Sequence, residues 1–362
     1  MKKILIIFPY DWLSYFSTAL NLYQLLSEEY EVDIVTFASQ NQIEDPNIHY
    51  VKVPQIVVRV VGRLDGLLLR FKVSSKLLFW TQVFWLMQRA IRVKPDEIVA
   101  GEFLGLWIAQ LVADKIHLLV VDIDEDDVFY QRTNHQKIQT VLISNEERYK
   151  YLFPNIDLTR FYIPNSPIYR PLQRPKEKRG FVYCGSSIPQ WGIFEYLEFI
   201  SNYPKYTLTI RGGMSKEVEA KILERYQFLI DTGRVVINKT YIDGKDICGF
   251  VQNFRIGFCL YNVTSIPKNK RFNQLYGSYG KLFTYYASGV PVIATNIPGM
   301  QSVLEFNTGV LVEDMSPASI KNAVDAIEAN YDTMCENCLR AAAHFSFDKA
   351  VQPFLDYIRC EA

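Results

Sequence analysis

The sequence predicts an α/β protein of two doubly wound domains, and three observations predict it. Its 362 residues exceed one ordinary domain and suit two of about 100–200 residues each. Short apolar runs alternate with amphipathic stretches from end to end, the rhythm of parallel strands covered by helices. The rhythm breaks once, at Pro164-Asn-Ser-Pro167-Ile-Tyr-Arg-Pro171-Leu-Gln-Arg-Pro175, where four prolines fall in twelve residues and charges follow, the composition of a linker. The expected organisation is a Rossmann-like domain over 1–165, a linker over 166–178 and a second Rossmann-like domain over 179–345. A C-terminal helix over 346–362 is expected to cross back to the first domain. Two such domains would face each other across a cleft at the carboxyl ends of their sheets, where open α/β sheets bind ligands.

Taken in order, the strand runs of the first half are Ile4–Phe8, Val32–Phe37, Glu97–Ala100, His117–Asp122, Thr140–Ile143 and Arg160–Ile163. Helical periodicity falls between them, as at Ser14–Leu26 and Leu77–Arg92. The second half restarts with strands at Gly180–Cys184, Tyr206–Arg211, Val235–Ile237, Arg255–Leu260, Val290–Ala294 and Val310–Val312. Its helices are expected at Ile193–Asn202, Lys216–Leu229, Lys281–Ser288, Ala318–Glu328, Tyr331–His344 and Phe347–Ile358.

Composition removes several classes of function. A hydrophobic fraction of 49% is far too high for a disordered chain. The 39 basic and 39 acidic residues balance, so the basic excess of a general nucleic-acid binder is missing. No run approaches the roughly 18 uncharged apolar residues of a spanning helix. The opening Met1-Lys-Lys-Ile-Leu-Ile-Ile-Phe-Pro-Tyr10 has too short an apolar run, and no small-residue cleavage site, to be a signal peptide; it reads as a first buried strand. The six cysteines are scattered, as free thiols in a reducing compartment are, and Cys335-x-x-Cys338 has no second pair to complete a zinc site. A cytoplasmic protein is expected.

Gly185-Ser186-Ser187 lies between an apolar strand and a helix, where backbone N–H groups and the helix dipole can hold a phosphate; a plain turn explains it equally well. Arg211-Gly212-Gly213 repeats the arrangement one strand later, with a cation suited to a diphosphate. Neither a Gly-x-Gly-x-x-Gly fingerprint nor a Gly-Lys-Ser/Thr loop is present. The most specific stretch is Tyr279-Gly280-Lys281-Leu282-Phe-Thr284-Tyr-Tyr-Ala287-Ser-Gly289-Val-Pro291-Val-Ile-Ala294, a helix that ends at a glycine and runs straight into an apolar strand.

Together with Pro298-Gly299 and Gly309-Val-Leu-Val-Glu313, this stretch resembles the C-terminal domain of GT-B glycosyltransferases of the GT4-like group, glycosyl transferases group 1. Tyr183-Cys-Gly185-Ser, Trp191-Gly192, Ile256-Gly-Phe-Cys-Leu-Tyr261 and Ile163-Pro-Asn-Ser-Pro167 extend the likeness over most of residues 97–330. The resemblance implies GT-B architecture and a nucleotide-sugar donor bound by Gly185, Ser186, Ser187, Arg211, Tyr261, Tyr279, Gly280, Lys281, Leu282 and Thr284. Two departures stand out. The group usually has a glutamate, holding the ribose hydroxyls, where Thr284 stands, and a hydroxyl does not replace a bidentate carboxylate. Many members grip the phosphates with an Arg and a Lys after the Gly185 turn, where this chain has Ser186 and Trp191. The phosphate role therefore passes to Lys281 and Arg211, against the plain alternative that Lys281 is a solvated surface lysine.

In the first half, Val121-Asp122-Ile-Asp124-Glu125 closes an apolar strand and resembles a Tyr-Asp-x-His-Glu segment of the group, with Asp124 in the histidine's place. A carboxylate there can serve an inverting enzyme as general base on the acceptor hydroxyl. Glu102 is a further catalytic candidate, or else a cap of the helix starting near Leu104. None of the four histidines has a matching context. The resemblance implies a hexosyltransferase-type enzyme of cell-surface polysaccharide synthesis acting on a glycan or lipid-linked acceptor, with no metal, no cofactor beyond the donor and no nucleic-acid partner. Two alternatives stay open: a metal-dependent GT-A-type transferase using Asp122 and Asp124, and a non-catalytic nucleotide-sugar-binding protein. Lastly, residues 56–94 hold eight cations against the single acid Asp65, interleaved with Leu67–Leu69, Trp80, Phe84 and Trp85. That composition suits peripheral contact with the anionic inner face of a membrane, or an ordinary amphipathic helix with a basic outer face.

Overall fold

The computed structural model describes residues 1–39, 41–70, 76–124, 127–173, 175 and 177–360. The chain forms two compact units, one of Met1–Ile163 together with the chain from Val351 onward, the other of Pro164–Ala350.

In the first unit, the described residues form strands β1 (Lys3–Phe8), β2 (Glu31–Phe37), β3 (Ile48–Val51), β4 (Glu97–Gly101), β5 (Ile116–Val120), β6 (Ile138–Ile143) and β7 (Thr159–Tyr162). They pair in parallel in the order β3-β2-β1-β4-β5-β6-β7. Every residue of β4 and β5 is buried, as a sheet covered on both faces requires. β3 is absent from the sequence expectation because Ile48-His-Tyr-Val51 is a half-buried edge strand with no apolar run. The helix Ser17–Leu26 starts later than expected, after a 3-10 turn at Leu13–Tyr15. Two consecutive helices, Gln55–Arg70 and Leu77–Val93, connect β3 to β4.

The second unit has β8 (Arg179–Cys184), β9 (Leu208–Arg211), β10 (Val235–Asn238), β11 (Phe254–Cys259), β12 (Val292–Thr295) and β13 (Gly309–Val312), parallel in the order β10-β9-β8-β11-β12-β13. The side-chain alternation of a strand sorts its core in two. Phe181, Tyr183 and Phe258 pack with the helices Ile193–Asn202, Lys216–Asp231 and Pro317–Ala329 on one face. Val182, Cys184 and Cys259 pack with Gly280–Ala287 and Tyr331–His344 on the other.

The start of the proline-rich segment is bonded to the second unit at three residues. Ser278 Oγ accepts from the Asn165 N–H at 2.7 Å, Ser346 Oγ accepts from the Tyr169 N–H at 2.8 Å, and buried Ser166 bonds the Phe345 carbonyl. The C-terminal helix Phe347–Cys360 leaves the second unit and packs on the first. Phe354 meets the rings of His117 at 5.3 Å and Phe161 at 5.6 Å, and Arg359 forms an ion pair with Glu29. Among the described residues no helix is long and apolar enough to cross a membrane.

Candidate functional site

Each sheet reverses its strand order once, between β1 and β4 and between β8 and β11. In open α/β sheets the ligand crevice lies outside the carboxyl end of such a switch point, and the expected site residues collect there.

In the second unit, β8 ends at Cys184 and the chain turns at Gly185, φ 143°, while β9 ends at Arg211 and turns at Gly212, φ 136°. A Cβ on Gly212 would lie 2.1 Å from the Gly185 carbonyl oxygen, so these two turns pack backbone on backbone. The Gly185 N–H donates to the Arg211 carbonyl at 2.9 Å and the Ser187 N–H to the Gly213 carbonyl at 2.7 Å. Ser186 is exposed and Ser187 buried.

Lys281, in the first turn of Gly280–Ala287, brings its Nζ to 3.6 Å from where a Gly185 Cβ would stand. It is not a solvated lysine. Its ammonium lies 4.6 Å from the Tyr183 ring centroid, 4.7 Å from Trp191 and 4.8 Å from Tyr261, and it donates to Tyr183 Oη at 3.3 Å. Burial pulls its pKa down to about 8. The Tyr183 hydroxyl in turn donates to the Ser186 carbonyl at 2.6 Å, so cage and turn are one hydrogen-bonded piece. Tyr183 carries part of the family likeness, and Trp191 also stands where many members have a phosphate-gripping cation; their common role around Lys281 needs three segments to converge and leaves no local signal.

Arg211 donates through Nη2 to the Ile242 carbonyl at 3.1 Å. Tyr279 is buried behind the cage, its ring centroid 4.6 Å from that of Tyr261, a ring of the cage itself. Gly280 passes against Asn165, whose Nδ2 would be 3.1 Å from an added Cβ. Thr284 donates its hydroxyl to the Gly280 carbonyl at 2.9 Å. Leu282 is fully buried in the core, its N–H spent on the Tyr279 carbonyl, so it supports the helix and offers a ligand nothing.

One residue absent from the expected set organises the switch point. Tyr285 is buried; its hydroxyl accepts from the Cys184 N–H at 3.1 Å and donates to the Phe258 carbonyl at 3.0 Å, bridging β8 and β11. Gly257 makes room for that ring, since a Cβ there would lie 2.7 Å from Tyr285 Cγ.

In the first unit, β4 runs into Glu102, a non-glycine residue at φ 57° that opens the helix Glu102–Ala109. Its buried carboxylate accepts from the N–H groups of Val121 at 3.0 Å and Asp122 at 3.2 Å. Burial first, then the charge of Asp122, push its pKa up to about 8. Fully buried Arg148 donates from Nη2 to the Val121 carbonyl at 2.7 Å. Asp122 and Asp124 are exposed, and Asp127 is half-buried with its carboxyl raised by that burial. Tyr10, after β1, is raised by burial and by the charges of Glu102, Asp127, Asp124 and Asp122, which places its phenol at the same acidic edge. A cavity of about 460 Å³ is lined by Phe103, Asp124, Asp127, Tyr130, Gln131 and Tyr151 among others. Glu125 lies outside the described residues. Of the histidines, His117 is buried against Glu97 and Thr140, and His49 is paired with Asp33.

No protein-family model matches the chain, and no curated protein matches it by sequence. Solved structures match it over its whole length. Sucrose-phosphate synthase from Thermosynechococcus elongatus superposes with a TM-score of 0.66 at 15% identity, covering 99% of both chains. HepE from Anabaena, in complex with UDP, gives 0.66 at 15% identity, covering 99% of this chain and 100% of that one. The E. coli trehalose-6-phosphate structure bound with UDP-2-fluoro glucose gives 0.64 at 10% identity, covering 98% of each. The chain has the GT-B fold. At these identities the likeness speaks for the fold alone. It replaces the GT-A alternative, because a GT-B chain is built from two Rossmann-like domains such as the two parallel sheets found here.

Proposed function

We propose that the chain is a hexosyltransferase-type glycosyltransferase that moves a sugar from a nucleotide-sugar donor to a glycan or lipid-linked acceptor in cell-surface polysaccharide synthesis. The observation that carries the donor half is the Lys281 ammonium at the Gly185 turn. Three rings surround this cation and no carboxylate pairs with it among the described residues, so an arriving diphosphate supplies a counter-charge and draws its proton tighter. Arg211 is the second cation, and the exposed Ser186 is the residue of the turn that faces the phosphates, because the Gly185 and Ser187 N–H groups already bond the Arg211 and Gly213 carbonyls. Tyr261 and Tyr279 form the wall, and Thr284 meets the ribose through a single hydroxyl. Two structures of the same fold were solved with UDP and with UDP-2-fluoro glucose, which supports a donor of this class.

In the acceptor half, Asp124, which lines the cavity together with Phe103, Tyr130 and Tyr151, is the general base, with Glu125 beside it in sequence. Glu102 holds the segment that carries them. Lys281 and Arg211 provide the positive charge on the leaving diphosphate, so the scheme uses no metal. Cytoplasmic work at the inner face of an anionic membrane, through residues 56–94, belongs to the same reading.

The Thr284 hydroxyl, engaged with the Gly280 carbonyl, favours a second reading, a nucleotide-sugar binder without catalysis. One experiment separates them. Calorimetry with a panel of nucleoside diphosphates, followed by labelled nucleotide sugars with extracted glycolipid acceptors, is expected to give binding and release of the diphosphate. Binding without release on any acceptor favours the second reading, and no binding of any nucleotide overturns both.

A further inference from the structure

The helices Gln55–Arg70 and Leu77–Val93 carry apolar surface that the fold does not bury. The second helix turns Val83, Leu86 and Ala90 into the core. Its Leu77, Trp80, Phe84 and Ile91, at i, i+3, i+7 and i+14, form another stripe, and all four are exposed, Phe84 to 51%. The first helix has no buried residue between Gln55 and Asp65, although that stretch is rich in Ile, Val and Leu. Ile56, Val60 and Leu64, at i, i+4 and i+8, are exposed along it, Ile56 to 74%. Exposed Arg59 and Arg63 flank this stripe, and Lys76 is exposed at the start of the next helix. The one acid of residues 56–94, Asp65, is spent on the helix end: its carboxylate accepts from the N–H groups of Leu77 at 3.3 Å and Leu78 at 3.2 Å.

We infer that this helix pair docks the protein on an anionic lipid bilayer by laying both apolar stripes into the interface, with Arg59, Arg63 and Lys76 at the headgroups. This deepens the reading above by making insertion of named apolar faces, and not basic charge alone, the source of attachment. Charge decides the occupant. A second copy of the chain would bring the same cations face to face, whereas phosphatidylglycerol headgroups complement them. A helix of apolar and cationic faces with little buried surface is suited to lie in the interfacial plane.

The full chain, without donor or acceptor, is tested by co-sedimentation with vesicles of phosphatidylcholine and of phosphatidylcholine with phosphatidylglycerol. Because no substrate is present, the result is independent of the transferase reading. The unmodified chain is expected to bind the anionic vesicles and to be only partly released by salt. Val60→Glu with Phe84→Glu, both exposed positions, should lower partitioning at least tenfold with an unchanged melting curve. Arg59→Gln with Arg63→Gln should lower it about fivefold per cation at low salt, about 1 kcal/mol each, and erase most of the salt dependence. Absence of binding to anionic vesicles at low salt, or equal binding by the Val60/Phe84 variant, overturns the inference. A dimer in sedimentation that the same substitutions dissociate, with no vesicle binding, assigns the surface to a second copy instead.

Discussion

Glu102 and Arg148 hold one peptide group from both sides: the carboxylate accepts the Asp122 N–H and the guanidinium donates to the Val121 carbonyl of the same bond. Both side chains are buried. The clamp fixes where β5 releases the chain into the acidic segment, and the exposed Asp124, the proposed base, follows two residues beyond it.

Glu102→Gln, which keeps an accepting oxygen, is therefore expected to fold and retain most activity. Glu102→Ala leaves the buried Val121 N–H without this acceptor, at roughly 1–3 kcal/mol, and the part-buried Asp122 N–H to water. Asp124→Asn should lower turnover by about 10²–10⁴-fold with donor affinity unchanged. Denaturation curves and turnover on all three variants check this; a folded Glu102→Gln protein as inactive as Asp124→Asn would make Glu102 the base. The sign of the linkage adds a second readout. Because the Glu102 pKa is raised in the fold to about 8, its contribution to stability is fully present below the unfolded carboxylate range and is lost as pH rises through 8. Glu102→Gln should flatten that decline.

Lys281 gives a prediction in the same pH range for a different quantity. Its free-state pKa of about 8 means that the protonated, diphosphate-binding form disappears above that pH. Nucleoside diphosphate affinity should be level below pH 8 and fall by about tenfold per unit above it, until the pKa of the complex is reached. Lys281→Arg, whose guanidinium stays charged, should bind without that fall. Lys281→Ala should lose roughly 1.5–3 kcal/mol of binding at neutral pH. Calorimetry from pH 7 to 9.5 decides it, and a flat profile for the unmodified protein removes Lys281 from the phosphate site.

Gly257 and Tyr285 test how the switch point is built. Alanine at 257 drives a methyl into the Tyr285 ring, and overpacking of this kind costs roughly 1–3 kcal/mol. Tyr285→Phe instead leaves the Cys184 N–H and the Phe258 carbonyl short of a partner. Each single variant should lower the chemical denaturation midpoint and, by moving β8 against β11, weaken diphosphate binding. Unchanged binding in both would detach the ligand from this edge.

Much of this architecture was legible in the sequence, for physical reasons that also explain the gaps. Central strands such as β4, β5 and β8 are buried on both faces, so they stand out as apolar runs between amphipathic helices. Ile193–Asn202 and Tyr331–His344 match their expected bounds residue for residue. Glycines marked the turns that only they can make, at Gly185 and Gly212. What stayed hidden depends on side chains meeting across long separations. Lys281 looks like any lysine until Tyr183, Trp191 and Tyr261 close around it. Glu102 reads equally as a cap or a base in the sequence, which gives no sign that one of its oxygens accepts from both Val121 and Asp122. Asp65 looks like a surface charge until the next helix begins on it.

Thr284 is where the resemblance and the structure can be set against each other in one substitution. Its hydroxyl donates to the Gly280 carbonyl, four residues back along the helix. That bond uses its only proton and leaves lone pairs that meet the hydroxyls of a ribose weakly. The group it resembles has glutamate here, and two carboxylate oxygens accept from two ribose hydroxyls at once. Thr284 is half-buried, so a longer side chain has a way out of the core. Thr284→Glu is thus expected to tighten nucleoside diphosphate binding by about tenfold, the order of one hydrogen bond to a charged group. The gain should vanish with the 2′,3′-dideoxy analogue, while the unmodified chain should distinguish the two nucleotides only slightly. If Thr284→Glu binds both nucleotides no better than the parent, the ribose lies elsewhere and this chain seats its donor differently from the group it resembles.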